Sequence, residues 1–225
     1  MKILLIETAT RVCSVALAVD GEVVARRECA EPDAHSTRLP LFLKEMLASQ
    51  RVDAICVSAG PGSYTGLRIG VSSAKGLCYG FEVPLLSVPT LLSMAAWYYA
   101  QHPEYEGLVC PMIDARRMEC YTMVVDRGLN VLRDTQAEVI TEGCYDQWLD
   151  RGEVVFVGDG AAKTRPLLGN HRNARYDEGF VVSAEGMAVL AEKRLAAGQV
   201  EDVAYFEPFY LKDFVAKKSV VHGLR

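Results

Sequence analysis

The sequence predicts an α/β protein of two similar lobes, each ordered strand, strand, strand, helix, strand, helix. Three observations point there. Short apolar strings such as Ile3-Leu4-Leu5-Ile6, Ala54-Ile55-Cys56-Val57 and Val154-Val155-Phe156-Val157 read as strands covered on both faces. Segments with apolar residues at helical spacing follow them and supply the cover. The pattern also recurs: Ile6-Glu7 and Cys13 stand 107 residues before Ile113-Asp114 and Cys120. The strand ending in Gly60-Pro61-Gly62 is likewise echoed by one ending in Gly158-Asp159-Gly160. A single repeat of this length is a duplication, since solenoid periods run ~20–50 residues.

In chain order, Ile3–Ile6 is the first strand, broken by Thr8-Ala9-Thr10. Val12–Val19 is the second, with Cys13, Val15, Leu17 and Val19 on one face. Asp20-Gly21 is a two-residue hairpin signal, and Glu22–Glu28 returns as the third strand. Ser36 or Thr37 is placed to cap a helix running to about 49, with Leu39, Phe42, Leu43, Met46 and Leu47 on its apolar face. Pro40 is tolerated in the first turn. Ala54–Val57 leads through a glycine-rich loop into a helix from Gly66 to about Gly80, and Leu91–Gln101 is a connector helix. In the second half, Val109–Ile113 is a strand, and Glu119–Asp126 and Val131–Val139 form a hairpin. Glu142–Arg151 reads as a helix, Val154–Val157 as a strand, and Ser183–Ala197 as a helix stopped by Gly198. The lobes then span residues 1–102 and 103–225. This duplicated βββαβα order is that of the RNase H-like, actin-like ATPase (ASKHA) architecture, in which the loop after each lobe's first strand faces a cleft between lobes.

Composition excludes several function classes. Lys and Arg number 24 against 29 Asp and Glu, a net charge of −5, so no overall attraction to nucleic acid is built in. No window offers the ~18 apolar residues of a membrane helix, and the start lacks a signal peptide's features. The seven cysteines contain no Cys-x-x-Cys pair and read as buried small hydrophobes in a reducing compartment.

Gly60-Pro61-Gly62-Ser63-Tyr64-Thr65-Gly66 leaves a buried strand and enters a helix, a place where backbone N–H groups hold anions. It is neither a Walker loop nor a dinucleotide fingerprint, and on spacing alone reads as a tight strand-to-helix connection. Gly66, Gly70, Ala74 and Cys78 form a strip at four-residue intervals. The strip reads equally as close packing within the protein or as a surface for a partner helix. Glu7 and Asp114 are the acidic residues at the two cleft loops. Asp114-Ala115-Arg116-Arg117 puts bulky cations where a phosphate loop wants slim backbone, so both acids read as structural first. None of the four histidines has a second one four residues away, and no Gly-x-Ser-x-Gly elbow is present. The last residues, Leu211–Arg225, carry a net charge of 4 − 1 = +3.

Ile6-Glu7-Thr8-Ala9-Thr10, His35-Ser36 with Leu39-Pro40, Gly60–Gly70 through Lys75-Gly76, Asp114-Ala115-Arg116 and Gly158-Asp159-Gly160-Ala161 together resemble the bacterial TsaB (YeaZ) family. The resemblance spans most of the chain. It implies a two-lobed actin-like fold and a role in making N6-threonylcarbamoyladenosine beside the anticodon of tRNAs that read codons starting with A. It implies a noncatalytic, cytoplasmic subunit that pairs with the catalytic TsaD, is joined by the P-loop ATPase TsaE, forms a homodimer when alone, and reaches tRNA through the complex. TsaD holds a metal through a His-x-x-x-His motif that this chain lacks. No intrinsic cofactor or metal is implied, only ATP or ADP at the joint with the partner. The family's two contact helices map onto 36–49 and 66–80. The implied interface is therefore Leu39, Phe42, Leu43, Met46, Gly66, Leu67, Gly70, Val71, Ala74 and Cys78. Residues implied for anion or nucleotide contact are Glu7, Thr8, Asp114, Arg116, Gly158 and Gly160. Glu7 stands where the family usually has aspartate. The alternative is a small-molecule kinase or ATPase with Glu7 and Asp114 around magnesium.

Overall fold

The computed structural model describes residues 1–48 and 50–212. Two five-stranded mixed sheets carry the fold. The first has the order β3-β2-β1-β4-β5, built from β1 (Lys2–Glu7), β2 (Cys13–Val19), β3 (Glu22–Cys29), β4 (Ala54–Ser58) and β5 (Leu85–Val88). The second has the order β10-β9-β6-β7-β8, from β6 (Leu108–Asp114), β7 (Glu119–Val125), β8 (Val131–Val139), β9 (Val154–Val157) and β10 (Ala174–Asp177). Read from the β8 end, the second order matches the first strand for strand, with three parallel strands and an antiparallel hairpin in each.

The helices are α1 (Ala34–Thr37), α2 (Leu39–Leu47), α3 (Tyr64–Phe81), α4 (Thr90–Gln101), α5 (Asp146–Leu149), α6 (Arg165–Leu168) and α7 (Ala188–Ala196). One face of the first sheet is covered by α1, α2 and α3 through Leu39, Leu43, Met46, Val71, Ala74 and Cys78. The other face is covered by α7 and the 3-10 turn before it, through Ala184, Met187, Ala188 and Ala191. Helix α4 instead packs Leu91, Met94 and Ala95 on the second sheet, against Val109, Ile113 and Val157. The helix that follows the first sheet thus covers the second, and the last helix returns to the first. The 3-10 turn before α7 meets α4 where Gly186 lies so close to Ser93 that a Cβ would strike the Ser93 carbonyl.

Several elements differ from the sequence expectation. The helix expected over 36–49 is two helices, because Pro40 has no N–H to offer the Ser36 carbonyl and the chain restarts at Leu39. Ser36 and Thr37 do not cap it; their hydroxyls donate back to the Asp33 carbonyl, each at 2.9 Å. The helix over 142–151 shrinks to the single turn α5, and that over 183–197 opens with the 3-10 turn Ala184–Met187. Strands β5 and β10, four residues each, were not expected. Both faces of β2 are buried. Cys120 lies opposite Asp114, whereas Ser14, not Cys13, lies opposite Glu7, so the count of 107 is one residue out of register there. Of the basic tail, Lys212 pairs with Glu119, while Lys217, Lys218 and Arg225 lie outside the described residues.

Candidate functional site

Between the lobes lies an open cleft of about 890 Å³, walled by the loops after β1, β3, β4, β6 and β9. The two glycine turns behind it are equivalent. Gly60 and Gly158 follow β4 and β9 with φ of +104° and +99°, values that cost an L side chain dearly. After Gly60 the chain enters α3, whose Ser63 hydroxyl accepts the Gly66 N–H at 3.2 Å as N-cap.

The loop after β1 is pressed onto α3. Ser63 N donates to the Ala9 carbonyl at 2.6 Å. A Cβ at Gly62 would collide with Ala9, at Gly66 with the Thr8 carbonyl, and at Gly70 with the Thr8 hydroxyl. The small-residue strip is therefore an internal seat for this loop, and Gly66, Leu67, Gly70, Val71, Ala74 and Cys78 are all buried. Leu39, Leu43 and Met46 face the same core, with Phe42 half-buried at its edge. Apart from Phe42, the expected partner-facing set is turned inward. The surface that α3 offers to solvent holds Arg68, Ser72, Gly76 and Gly80, again at four-residue intervals. Beside them stand Tyr79, 85% exposed, and Phe81 at 46%. Gly76 and Gly80 have open space where a Cβ would go. On the neighbouring α2, Leu41 is exposed in the same way.

Of the residues expected at an anion, Asp114 and Arg116 line the cleft; Glu7, Thr8, Gly158 and Gly160 do not. Glu7 alternates with Ile3 and Leu5 and so points to the sheet face beneath α7. Its Oε1 accepts from Ala9 N at 2.6 Å and from Ser58 Oγ at 3.0 Å, while Oε2 is buried with no partner. Burial outweighs those bonds and pushes its carboxyl up to about 7. Thr8 is buried and its hydroxyl has no partner. Gly160 holds the next turn against β6, donating its N–H to the Met112 carbonyl at 3.0 Å.

Asp114 is half exposed and salt-bridged to Lys163, and it accepts from Arg116 N at 2.8 Å. Partial desolvation pushes its carboxyl up, but Lys163, the Arg116 N–H and nearby cations bring it below the usual range. Arg116 and Arg117 both have left-handed backbone, φ +75° and +50°, and turn the chain directly into β7. Beside them Asp159 accepts from Asp114 N at 2.9 Å, and burial with the Asp114 charge raises its carboxyl. A triphosphate and its magnesium do not fit this arrangement. One carboxylate is inside the core, the other is taken by a lysine, and the second loop is a closed turn of bulky cations.

The cleft also holds a segment of which the sequence singled out only the basic end, from Leu211. After α7 the chain returns across the first lobe, where Lys75 Nζ donates to the Ala204 and Phe206 carbonyls at 3.0 and 3.1 Å. Phe209 N donates to the Ala59 carbonyl at 2.7 Å, and the Tyr210 ring lies on Tyr64 with centroids 4.9 Å apart. Lys212 then reaches Glu119 on β7, so this segment spans the mouth of the cleft. The apolar-aromatic string Phe206–Tyr210 is the signal that could have marked it.

Residues 30–220 match the family model described as TsaD: tRNA N6-adenosine threonylcarbamoyltransferase. The Escherichia coli tRNA threonylcarbamoyladenosine biosynthesis protein TsaB is 34% identical over 98% of this chain and 98% of its own length. The chain belongs to the TsaB family. The Bacillus subtilis TsaB protein is 36% identical over 54% of each chain. The solved structure of YeaZ from Pseudomonas aeruginosa superposes with a TM-score of 0.79 at 27% identity, covering 93% of this chain and 99% of that one. The two-lobed, actin-like fold described above is the family's. Among the described residues, no group of three His, Cys, Asp or Glu is placed to hold a metal ion. No helix there is long and apolar enough to cross a membrane.

Proposed function

We propose that this chain is the noncatalytic subunit of the assembly that makes N6-threonylcarbamoyladenosine in tRNA, acting as scaffold and activator of TsaD. The observation that carries this reading is the pair of faces on α3. The inner small-residue strip is spent on the chain's own β1 loop, while the outer strip, Ser72, Gly76 and Gly80 with Tyr79 and Phe81, is open. An outer face with two glycines lets a partner helix approach closely, and exposed aromatics beside it supply buried area on docking. The misfit of magnesium-nucleotide chemistry with Glu7 and Asp114 supports a subunit that leaves catalysis to its partner. In this reading TsaE joins the pair, tRNA is reached through the complex, any nucleotide sits at the joint with TsaD, and the lone protein pairs with a second copy through the same face.

The test is a pair of substitutions that nothing inside the chain resists. Gly76→Arg and Tyr79→Asp should leave the melting curve unchanged, yet weaken binding to TsaD from the same source at least about tenfold, the loss expected of a central contact. Reconstituted tRNA modification should fall with it. Wild-type affinity in both variants would remove α3 from the interface.

A further inference from the structure

We propose that Cys13 and Cys29 form a reversible redox-modification site, a cross-strand pair that closes to a disulfide on reaction with a low-molecular-weight disulfide such as oxidised glutathione. The two residues are directly opposed in the antiparallel ladder of β2 and β3. Opposed Cα atoms there stand about 4.5 or 5.5 Å apart, and either spacing falls inside the ~4.4–6.8 Å that a disulfide spans. Both side chains belong to the same cluster on one sheet face, and both thiols are free. They form the last rung of the ladder, since Cys13 opens β2 and Cys29 ends β3. The backbone beyond them is loop and can adjust as the sulfurs meet.

No other two of the seven cysteines stand so. Cys110 and Cys120 lie on neighbouring strands, but the register sets Asp114 opposite Cys120, and Cys110 shares its sulfur with the Thr122 hydroxyl. Cys56 and Cys78 belong to clusters on opposite faces of the first sheet. Cys144 packs on the cluster that holds Cys110 and Cys120 but lies in no strand, so it faces neither across a ladder.

The two thiols are unequal, which orders the chemistry. Cys13 is buried, and burial together with Cys29 pushes its thiol up to about 12. Cys29 is half-buried at the surface, with the Glu31 N–H donating to its sulfur at 3.4 Å. Cys29 thiolate therefore attacks first, forming a mixed disulfide and releasing one glutathione thiolate. Cys13 then gives up its proton and attacks Cys29 Sγ, expelling the second. Two protein thiols are oxidised by two electrons, and one glutathione disulfide is reduced to two thiols.

The rung sits at the edge of the cleft. Ala30, Glu31, Pro32 and Asp33, which follow Cys29, line it and lead into α1, and the Val12 carbonyl next to Cys13 lies 3.3 Å from His35 Nε2. A closed rung ties this wall to β2. The site does not depend on the docking reading.

The experiment treats the full-length protein with oxidised glutathione and reads intact mass, linked peptides and amide hydrogen exchange. The expected product has lost two hydrogens, carries one peptide pair joining Cys13 to Cys29, and returns to the dithiol with a reducing agent. Exchange across 30–38 should slow in the oxidised form and recover on reduction. Cys29→Ser should abolish the link, as should Cys13→Ala, whereas Cys144→Ser should keep it. A stable mixed disulfide on Cys29 with Cys13 still a thiol would overturn the pair. Unchanged exchange across 30–38 in the linked protein would overturn its tie to the cleft wall.

Discussion

Glu7 closes β1 and Asp114 closes β6, each one rung from the hairpin of its lobe, yet one carboxylate is wholly buried and the other is half exposed beside Lys163. The connections explain the difference. From Glu7 to its opposite residue Ser14 the chain has room for a loop that folds down onto α3, because Gly62, Gly66 and Gly70 clear a seat for it. From Asp114 to Cys120 it is one residue shorter and turns at once through two left-handed arginines. The lesson is that a duplicated topology preserves the strand end but not its solvation. What a carboxylate does there depends on the helix the next loop meets.

The largest way to break this comparison is to fill the seat. Gly66→Val places its Cβ against the Thr8 carbonyl, a backbone atom with no rotamer to escape into. It should cost about 3 kcal/mol in urea unfolding, the upper end of what forced overpacking costs. A loss below about 1 kcal/mol would show that the loop yields.

The next effect separates the two acids by sign of pH dependence. Glu7 has its carboxyl raised from 4.5 to about 7, so its contribution to stability is full below pH 4.5 and is lost as pH rises through 7. Relative to Glu7→Gln, the native protein should lose on the order of 3 kcal/mol across that window, at 1.36 kcal/mol per unit. Parallel stability-versus-pH curves for the two proteins would contradict a neutral, buried Glu7. Asp114 is lowered instead, so its contribution is present above the ordinary carboxylate range and is lost as pH falls. Being half exposed, its pair with Lys163 is worth under about 1 kcal/mol. Asp114→Asn should thus be the smallest change, visible only as a slight flattening of the acid limb that salt also produces.

Much of the molecule was legible before any coordinates. Asp20-Gly21 marked its hairpin because left-handed φ favours those residues, and Gly198 marked the end of the last helix for the same reason. The apolar strings became β1, β4 and β9, since strings of that length without alternation suit strands covered on both faces. Strands β5 and β10 were missed because neither offers the unbroken apolar string that marked the equally short β9: Ser87 interrupts β5 between Pro84 and Pro89, and β10 carries Arg175 and Asp177. At the site, Asp114 and Arg116, expected to contact an anion, line the cleft. Glu7 was placed at the cleft but lies in the core, because one step of strand alternation decides between the two. Lys163 reaches the site from an element distant in sequence, so no local pattern announced it, and Lys212 was read only as part of a basic tail.

The sequence by itself determined eight of the ten described strands, the duplication and the membership of the family, because these rest on local periodicity, turn chemistry and a long run of matching residues. Only the tertiary structure decided which side of α3 faces inward. Small residues recur every fourth position on both sides of that helix, at 66, 70, 74 and 78 and again at 72, 76 and 80. Spacing alone cannot separate two such strips. The choice was made by Leu67 and Val71, whose burial in the core turns the first strip onto Thr8 and leaves the second in water. The exchange of α4 and α7 between sheets was decided in the same way, since an apolar stripe states that it must be covered but not by which sheet.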